Sequence, residues 1–193
     1  MIDNHLTRLE SALAQVRGQT PLLLRWGRRL AETLQAGGRL LACGNGGSAA
    51  QAQHLTAELV GRYQGERRPF SALSLHTDAS AVTAIVNDYG AEELYARQVR
   101  AHGRPGDILL ALSTSGTSRN VICAVHTAAR AGLHTWALTG PAPNPLAAAC
   151  QESLSVDAPA TATVQEVHLA VVHLLCAVVD ERVLSPHRVV VRA

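Results

Sequence analysis

Two segments of the chain concentrate the groups that can hold a phosphate. Residues 43–50 read C-G-N-G-G-S-A-A, and residues 112–120 place five hydroxyl side chains around a single glycine. Glycines let the backbone turn sharply, and a helix that begins after such a turn directs free N–H groups and a positive dipole end at an anion. No G-x-x-x-x-G-K-[ST] pattern accompanies them, so a sugar phosphate monoester suits these segments better than nucleoside triphosphate hydrolysis.

The glycine-rich segment is a weak signal by itself, because a tight turn with Ser48 as helix N-cap would produce the same sequence. The hydroxyl-rich segment is stronger, since one cap needs one hydroxyl and this segment offers Ser113, Ser115, Thr117 and Ser118. Together they predict an anion site.

Groups for acid–base chemistry lie in two other places. His54 and Glu58 are four residues apart in a predicted helix, so they share one face. Gln165, His168 and His173 interrupt the otherwise apolar last helix. Each group has a structural alternative, namely a surface pair for the first and hydrogen-bonded core histidines for the second.

Strand-like and helix-like segments alternate along the chain. Apolar runs predict strands at 39–44, 70–75, 107–112, 135–139 and 153–156. Helical patterns cover 6–34 (with Pro21 opening a second helix), 48–60, 80–86, 92–102, 117–131 and 163–183, and the prolines at 141, 143 and 145 predict a loop. This alternation predicts a parallel α/β sheet with helices on both faces, which binds ligands at the carboxyl ends of its strands.

Composition excludes several classes of protein. The 193 residues are 47% hydrophobic and 17% charged, which excludes disorder, and a net charge of +2 gives no nucleic-acid footprint. The four cysteines form no C-x-x-C pair, so we expect reduced thiols. We see no signal peptide and no apolar run near ~20 residues, and we expect a cytoplasmic protein of one domain, 1–193, without membrane partners.

Four motifs in order resemble the sugar isomerase (SIS) domain: G-N-G-G-S at 44–48, A-I-V-N-D at 84–88, L-S-T-S-G-T-S at 112–118 and Q-E-V-H at 165–168. The resemblance covers residues 39–183 and is closest to the phosphoheptose isomerases. It implies a three-layer, flavodoxin-like sandwich around a mostly parallel sheet. It also implies a homotetramer with active sites shared between subunits, in which the helical segment 1–36 takes part in oligomer packing.

The resemblance further implies an aldose–ketose isomerase that converts sedoheptulose 7-phosphate to D-glycero-D-manno-heptose 7-phosphate through an enediol. Such a reaction needs one group to move a proton between carbons and another to move a proton between oxygens. The family's glutamate and histidine match Glu58 as general base and His173 as its acid–base partner. His168 is assigned to structure.

By the same match, the substrate site should include Asn45, Gly46, Gly47, Ser48, Glu58, Asn87, Asp88, Ser113, Thr114, Ser115, Ser118 and Gln165. Ser113, Ser115 and Ser118 are expected to hold the phosphate. Asn87 and Asp88 are expected near the sugar hydroxyls, although without the resemblance a turn before Gly90 explains them equally well. Arg62 matches a family arginine near the site, and a solvated side chain is its alternative.

Many family members hold zinc through His, Glu, Gln and His, which match His54, Glu58, Gln165 and His173, so one zinc per subunit is implied. Helix geometry complicates this set. Gln165 and His173 lie ~12 Å apart along a straight helix, so both reach one metal only through extended side chains, a distorted helix start or a second subunit. The stretch A-T-A-T-V at 160–164 also lacks the arginine that commonly precedes the glutamine in relatives. That departure bears on sugar specificity.

Two other functions compete with the isomerase. Non-catalytic adaptors that bind a replication initiator protein share the fold and a Pro-His like Pro186-His187, but they lack the glutamate and second histidine that Glu58 and His173 supply here. A dinucleotide-dependent oxidoreductase would fit Gly44, Gly46 and Ala49, but it predicts an acidic residue at the end of the second strand, where Asp78 comes slightly late.

Overall fold

A five-stranded parallel sheet forms the centre of the molecule, for which the computed structural model describes residues 1–184. The strands are β1 (Leu40–Gly44), β2 (Ala72–Ser74), β3 (Ile108–Ser113), β4 (His134–Thr139) and β5 (Glu152–Ser155). Their order is β2-β1-β3-β4-β5, and every pairing is parallel. This confirms the predicted α/β class.

Within residues 1–184, eight helices surround the sheet. They are α1 (Ile2–Gly18), α2 (Thr20–Gln35), α3 (Gly47–Val60), α4 (Ala79–Tyr89), α5 (Glu93–His102), α6 (Arg119–Arg130), α7 (Pro145–Ala149) and α8 (Thr161–Leu184). Pro21 lies in the first turn of α2 as expected, where its missing N–H costs no hydrogen bond.

Two apolar cores lie on opposite faces of the sheet, because successive strand residues point to opposite sides. Ile108, Leu110 and Leu112 pack with α1, α2, α3 and α8, whereas Leu109 and Ala111 pack with α5 and α6. All six residues of β3 are buried, as expected for a strand covered on both faces. The result is the expected three-layer sandwich, and α3 and α8 lie side by side in one layer.

The prediction of a loop after β4 was wrong in part, because α7 forms within it. Asn144 caps this short helix by accepting a hydrogen bond from Ala147 N, and Pro145 occupies its first turn. A proline at that position starts a helix as readily as it interrupts one.

The turn considered for Asn87 and Asp88 is also absent, because both residues lie in the last turn of α4. The chain turns two residues later at Gly90, whose φ of +86° is accessible mainly to glycine.

Helix α8 corrects one expectation about apolar segments. By length and composition it qualifies as a helix that could cross a membrane. Half of its apolar window is buried inside the fold, as in the core helix of a globular domain, so this is weak evidence for a membrane span. Pro186-His187 lies outside the described residues.

Candidate active site

The glycine-rich and hydroxyl-rich loops lie side by side, because β1 and β3 are neighbouring parallel strands that end at the same edge of the sheet. Gly46 (φ +56°) is the N-cap of α3, so Ser48 does not cap the helix and instead lies buried in its first turn. A Cβ on Gly44 would lie 2.9 Å from the backbone of Ser48, so only glycine allows this close turn.

Hydroxyl groups converge on one another at the start of α6. Ser113 Oγ lies 3.1 Å from Ser118 Oγ and 3.3 Å from Ser115 Oγ, and it accepts a hydrogen bond from Gly116 N. Thr117 donates its hydroxyl proton to Ser115 Oγ at 3.0 Å. A cluster of rotatable O–H donors at a helix N-terminus can bind the oxygens of a phosphate.

The short segment after β4 supports this hydroxyl loop from behind. Gly116 O accepts a hydrogen bond from Leu146 N at 2.9 Å. A Cβ on Gly116 would overlap the Asn144 side chain, and a Cβ on Gly140 would overlap the Thr114 carbonyl oxygen. The backbone conformation of the hydroxyl loop is therefore fixed by direct packing against α7 and the residues that precede it.

An imidazole–carboxylate–imidazole cluster forms where α3 meets α8. His54 Nε2 lies 3.0 Å from His173 Nε2 and 3.4 Å from Glu58 Oε1, and one ligand atom from each residue lies within 4.8 Å of the others. All three side chains are half-buried. Two imidazole nitrogens and a carboxylate oxygen are a donor set that suits zinc.

Gln165 lies beside the beginning of α3. A Cβ on Gly47 would lie 2.5 Å from Gln165 Nε2, and Gln51 donates to the Gln165 carbonyl. Since α8 is helical from Thr161 to Leu184, the separation of ~12 Å between Gln165 and His173 along the helix remains. The Gln165 side chain therefore packs against the glycine loop.

Asn87 and Asp88 stand apart from this arrangement within one chain. Asn87 donates to Asp88 Oδ1 at 2.8 Å, and among residues 1–184 neither side chain hydrogen-bonds to either loop. No residue of α4 is buried, although the helix is rich in apolar side chains. Arg62 donates to the Gln64 carbonyl and is exposed.

Two residues that the sequence did not single out support the glycine loop. Tyr95 Oη lies 2.6 Å from the Gly44 carbonyl oxygen and 3.2 Å from Asn45 Oδ1. Burial raises the pKa of Tyr95, so its hydroxyl stays a donor. Asn45 and Asn120 exchange two hydrogen bonds of 2.9 Å between their amides. The position of Asn120 within the hydroxyl segment was a signal for it, whereas nothing in the spacing indicated Tyr95.

His168 is a core residue, in agreement with its assignment to structure. Its side chain is fully buried, and its Nε2 lies 3.2 Å from the Thr139 carbonyl oxygen. Burial lowers its pKa to about 4, so the ring is neutral at pH 7.

Asp78 is also structural, because its carboxylate caps α4 by accepting a hydrogen bond from Ala81 N. This role differs from that of the ribose-binding acid that a dinucleotide site requires.

Comparison with known proteins identifies the family of this chain. The SIS domain family matches residues 5–140. The chain is 61% identical to the phosphoheptose isomerase of Streptomyces coelicolor over 176 residues, 91% of this chain and 76% of that protein. It is 48% identical to the phosphoheptose isomerase of Rhodospirillum rubrum over 153 residues, 79% of this chain and 81% of that protein.

Solved structures agree. The phosphoheptose isomerase GmhA from Neisseria gonorrhoeae superposes with a TM-score of 0.86 at 38% identity, over 93% of this chain and 97% of that one. A phosphoheptose isomerase from Francisella tularensis gives a TM-score of 0.83 at 33% identity, over 93% and 98%.

Proposed function

The chain belongs to the SIS-domain family of phosphoheptose isomerases, and on that premise we propose that it converts sedoheptulose 7-phosphate to D-glycero-D-manno-heptose 7-phosphate. The observation that carries this proposal is the cluster of Glu58 and His173 on adjacent helices, with ligand atoms within 4.8 Å. The reaction is an aldose–ketose isomerisation through an enediol, which requires such a pair.

Glu58 acts as the general base. Its carboxylate removes a proton from C1 of the ketose, and the electrons of that C–H bond form the C1–C2 double bond of the enediol. The proton then returns to C2, which yields the aldose. His173 carries a proton between the oxygens on C1 and C2, so no proton is gained or lost over the cycle. An imidazole serves because it both donates and accepts near neutral pH.

The hydroxyl loop holds the phosphate of the substrate. Ser113, Ser115 and Ser118 present hydroxyl groups within 3.3 Å of one another at the N-terminus of α6. Binding the phosphate away from the reacting carbons lets binding energy position C1 and C2 beside Glu58. Asn45 to Ser48 and Thr114 line the same edge of the sheet, and Gln165 packs onto it from α8.

We assign zinc to His54, Glu58 and His173, whose donor atoms fit that ion. When bound, zinc would supply Lewis acidity for the oxygens on C1 and C2. The family pattern implies Gln165 as the fourth ligand. The side chain of Gln165 lies beside Gly47, and this position fits a role in substrate binding equally well.

We also propose a cytoplasmic homotetramer whose active sites combine residues of several subunits. Apolar side chains on α4 and α8 are exposed in the single chain, among them Val86, Tyr89 and Leu174. The N-terminal segment 1–36 packs on α8 beside Leu174, so a neighbouring copy that covers this surface would bury Leu174. A copy packed on α4 would bury Val86 and Tyr89. Such packing could also bring Asn87 and Asp88 of one copy to the site of another.

Incubation with sedoheptulose 7-phosphate, followed by NMR of the sugar products, tests the activity. We expect the aldose phosphate to appear, and we expect free sedoheptulose to react far more slowly because it lacks the anchoring phosphate. Equal rates for both sugars would contradict the phosphate site.

A monomeric mass by light scattering would contradict the tetramer. The adaptor alternative gains no support, since the relatives compared are named isomerases.

A further inference from the structure

The segment between α3 and β2, residues 61–68, ties α3 to α8, and we call it the clasp. Its central residue is Arg67, whose side chain is 1% exposed. Arg67 Nε donates to Asp180 Oδ1 on α8 at 2.9 Å. Its other nitrogens donate to the carbonyl oxygens of Glu58 at 2.6 Å and Leu59 at 3.0 Å, in the last turn of α3. One guanidinium therefore bridges the two helices.

The Asp180 carboxylate fastens the rest of the clasp. Its second oxygen accepts hydrogen bonds of 3.1 Å from the backbone N–H groups of Gln64 and Gly65. Gly65 packs so closely on α8 that a Cβ there would overlap Leu184. Asp180 thus has three partners in the clasp.

This buried ion pair is better suited to fixing geometry than to adding stability. Removing two charges from water offsets much of their attraction, and well-packed apolar residues often serve stability equally well. The planar guanidinium, in contrast, has donors in fixed directions, so it constrains the groups that it contacts.

Both ends of the pair lie next to the proposed acid–base groups. The carbonyl that Arg67 binds belongs to Glu58 itself. Asp180 follows His173 by seven residues, two turns along the same face of α8. Tyr63 of the clasp packs its ring against the His173 imidazole, with centroids 5.8 Å apart. Cys176 lies between His173 and Asp180 along α8, and its side chain is buried.

We propose that Arg67 and Asp180 are positioning residues that set the distance between Glu58 and His173. This inference rests on the proposed roles of those two groups. The proposal predicts a loss of kcat with little change in KM. A shift of the helices misplaces the acid–base pair, whereas the phosphate is held by the loop after β3. Misplacement by about 1 Å can cost on the order of a hundredfold in rate.

The test compares Asp180→Asn with Asp107→Asn. Asp107 is also buried, and its carboxylate accepts hydrogen bonds from two backbone N–H groups and lies 3.6 Å from Arg39 Nε, but it precedes β3 at the opposite end of the sheet. We expect both variants to melt at lower temperature. We expect only Asp180→Asn to lose kcat, by roughly 10- to 100-fold, with KM within about threefold.

Equal kcat values for the two variants would overturn the proposal, as would a loss that appears only in KM. If Asp180→Asn does not fold, Arg67→Lys decides by the same criterion, because lysine keeps a positive charge but cannot bridge Asp180 and the α3 carbonyls together. Glu58→Gln is measured in parallel. Absence of turnover by wild type would refute the proposed function itself, and a fully active Glu58→Gln would refute the role of Glu58 on which the clasp rests. An inactive Glu58→Gln beside an unimpaired Asp180→Asn would refute only the clasp.

Discussion

The Nε2 atoms of His54 and His173 lie 3.0 Å apart across the contact between α3 and α8. At that distance the two nitrogens cannot both carry a proton directed at the other, so at least one of them presents a lone pair. Glu58 Oε1 lies 3.4 Å from the same His54 nitrogen. Two helices thus bring three side chains that can ligate a metal within 4.8 Å of one another.

Replacing His54 tests the metal assignment. We expect wild-type protein, after treatment with EDTA, to bind one zinc per subunit, and His54→Asn to bind it at least about tenfold more weakly because one imidazole ligand is lost. Competition with a chromophoric chelator measures both affinities. His126→Asn, at an exposed position of α6, is the control and should bind as wild type does. Unchanged affinity in His54→Asn would remove His54 from the set.

Single hydroxyl deletions test the phosphate loop. Ser115→Ala and Ser118→Ala should each raise KM for sedoheptulose 7-phosphate by roughly 10- to 100-fold, since a hydrogen bond to a charged group contributes about 1.5–3 kcal/mol. The kcat value should change little. Ser71→Ala, exposed ahead of β2, is the matched control. KM values like the control's would place the phosphate elsewhere.

The support of the hydroxyl loop by Asn144 makes Gly116 sensitive to substitution. Gly116→Ala and Gly106→Ala both force alanine into a positive φ, which costs about 1–2 kcal/mol. Only at Gly116 would the new Cβ also meet a side chain, because nothing lies within 4 Å of it at Gly106. We expect Gly116→Ala to lose about 1–3 kcal/mol more in urea unfolding. Equal losses of unfolding free energy in the two variants would show that the hydroxyl loop accommodates the new Cβ at no cost in stability.

His168 should make stability depend on pH. Its folded pKa of about 4 lies below the unfolded value, so the unfolded chain binds a proton first as pH falls. Stability should be unaffected by this group above about pH 6.5 and should fall between there and pH 4, by up to about 3 kcal/mol. In urea unfolding, His168→Gln should lose less stability over that window than wild type or His126→Gln. The same loss of stability in all three proteins would show that His168 is not the cause of the pH dependence.

Much of the fold was predictable because its signals are local. The apolar run before Ser113 indicates β3, and Gly61 and Gly103, which end α3 and α5, indicate helix ends without knowledge of distant residues. The prediction was wrong at Pro145, where a proline's two common positions, a loop and a first helical turn, look alike in sequence.

The site was predictable only in part. Spacing alone places His54 beside Glu58, one turn apart on α3, but His173 lies 119 residues from His54 and was found through the family resemblance. The contacts of Tyr95 with Gly44, 51 residues away, and of Arg67 with Asp180, 113 residues away, have no local signature. Such contacts depend on how the helices pack, which no short pattern encodes.

The carboxylate of Glu58 is the group whose removal tests the whole account. Sedoheptulose 7-phosphate is incubated with wild type, Glu58→Gln and the control Glu32→Gln, which is exposed on α2, and the products are followed by NMR. We predict conversion by wild type and control, and a loss of at least about a hundredfold in Glu58→Gln, as expected when a general base is removed. Undiminished turnover by Glu58→Gln would contradict the account.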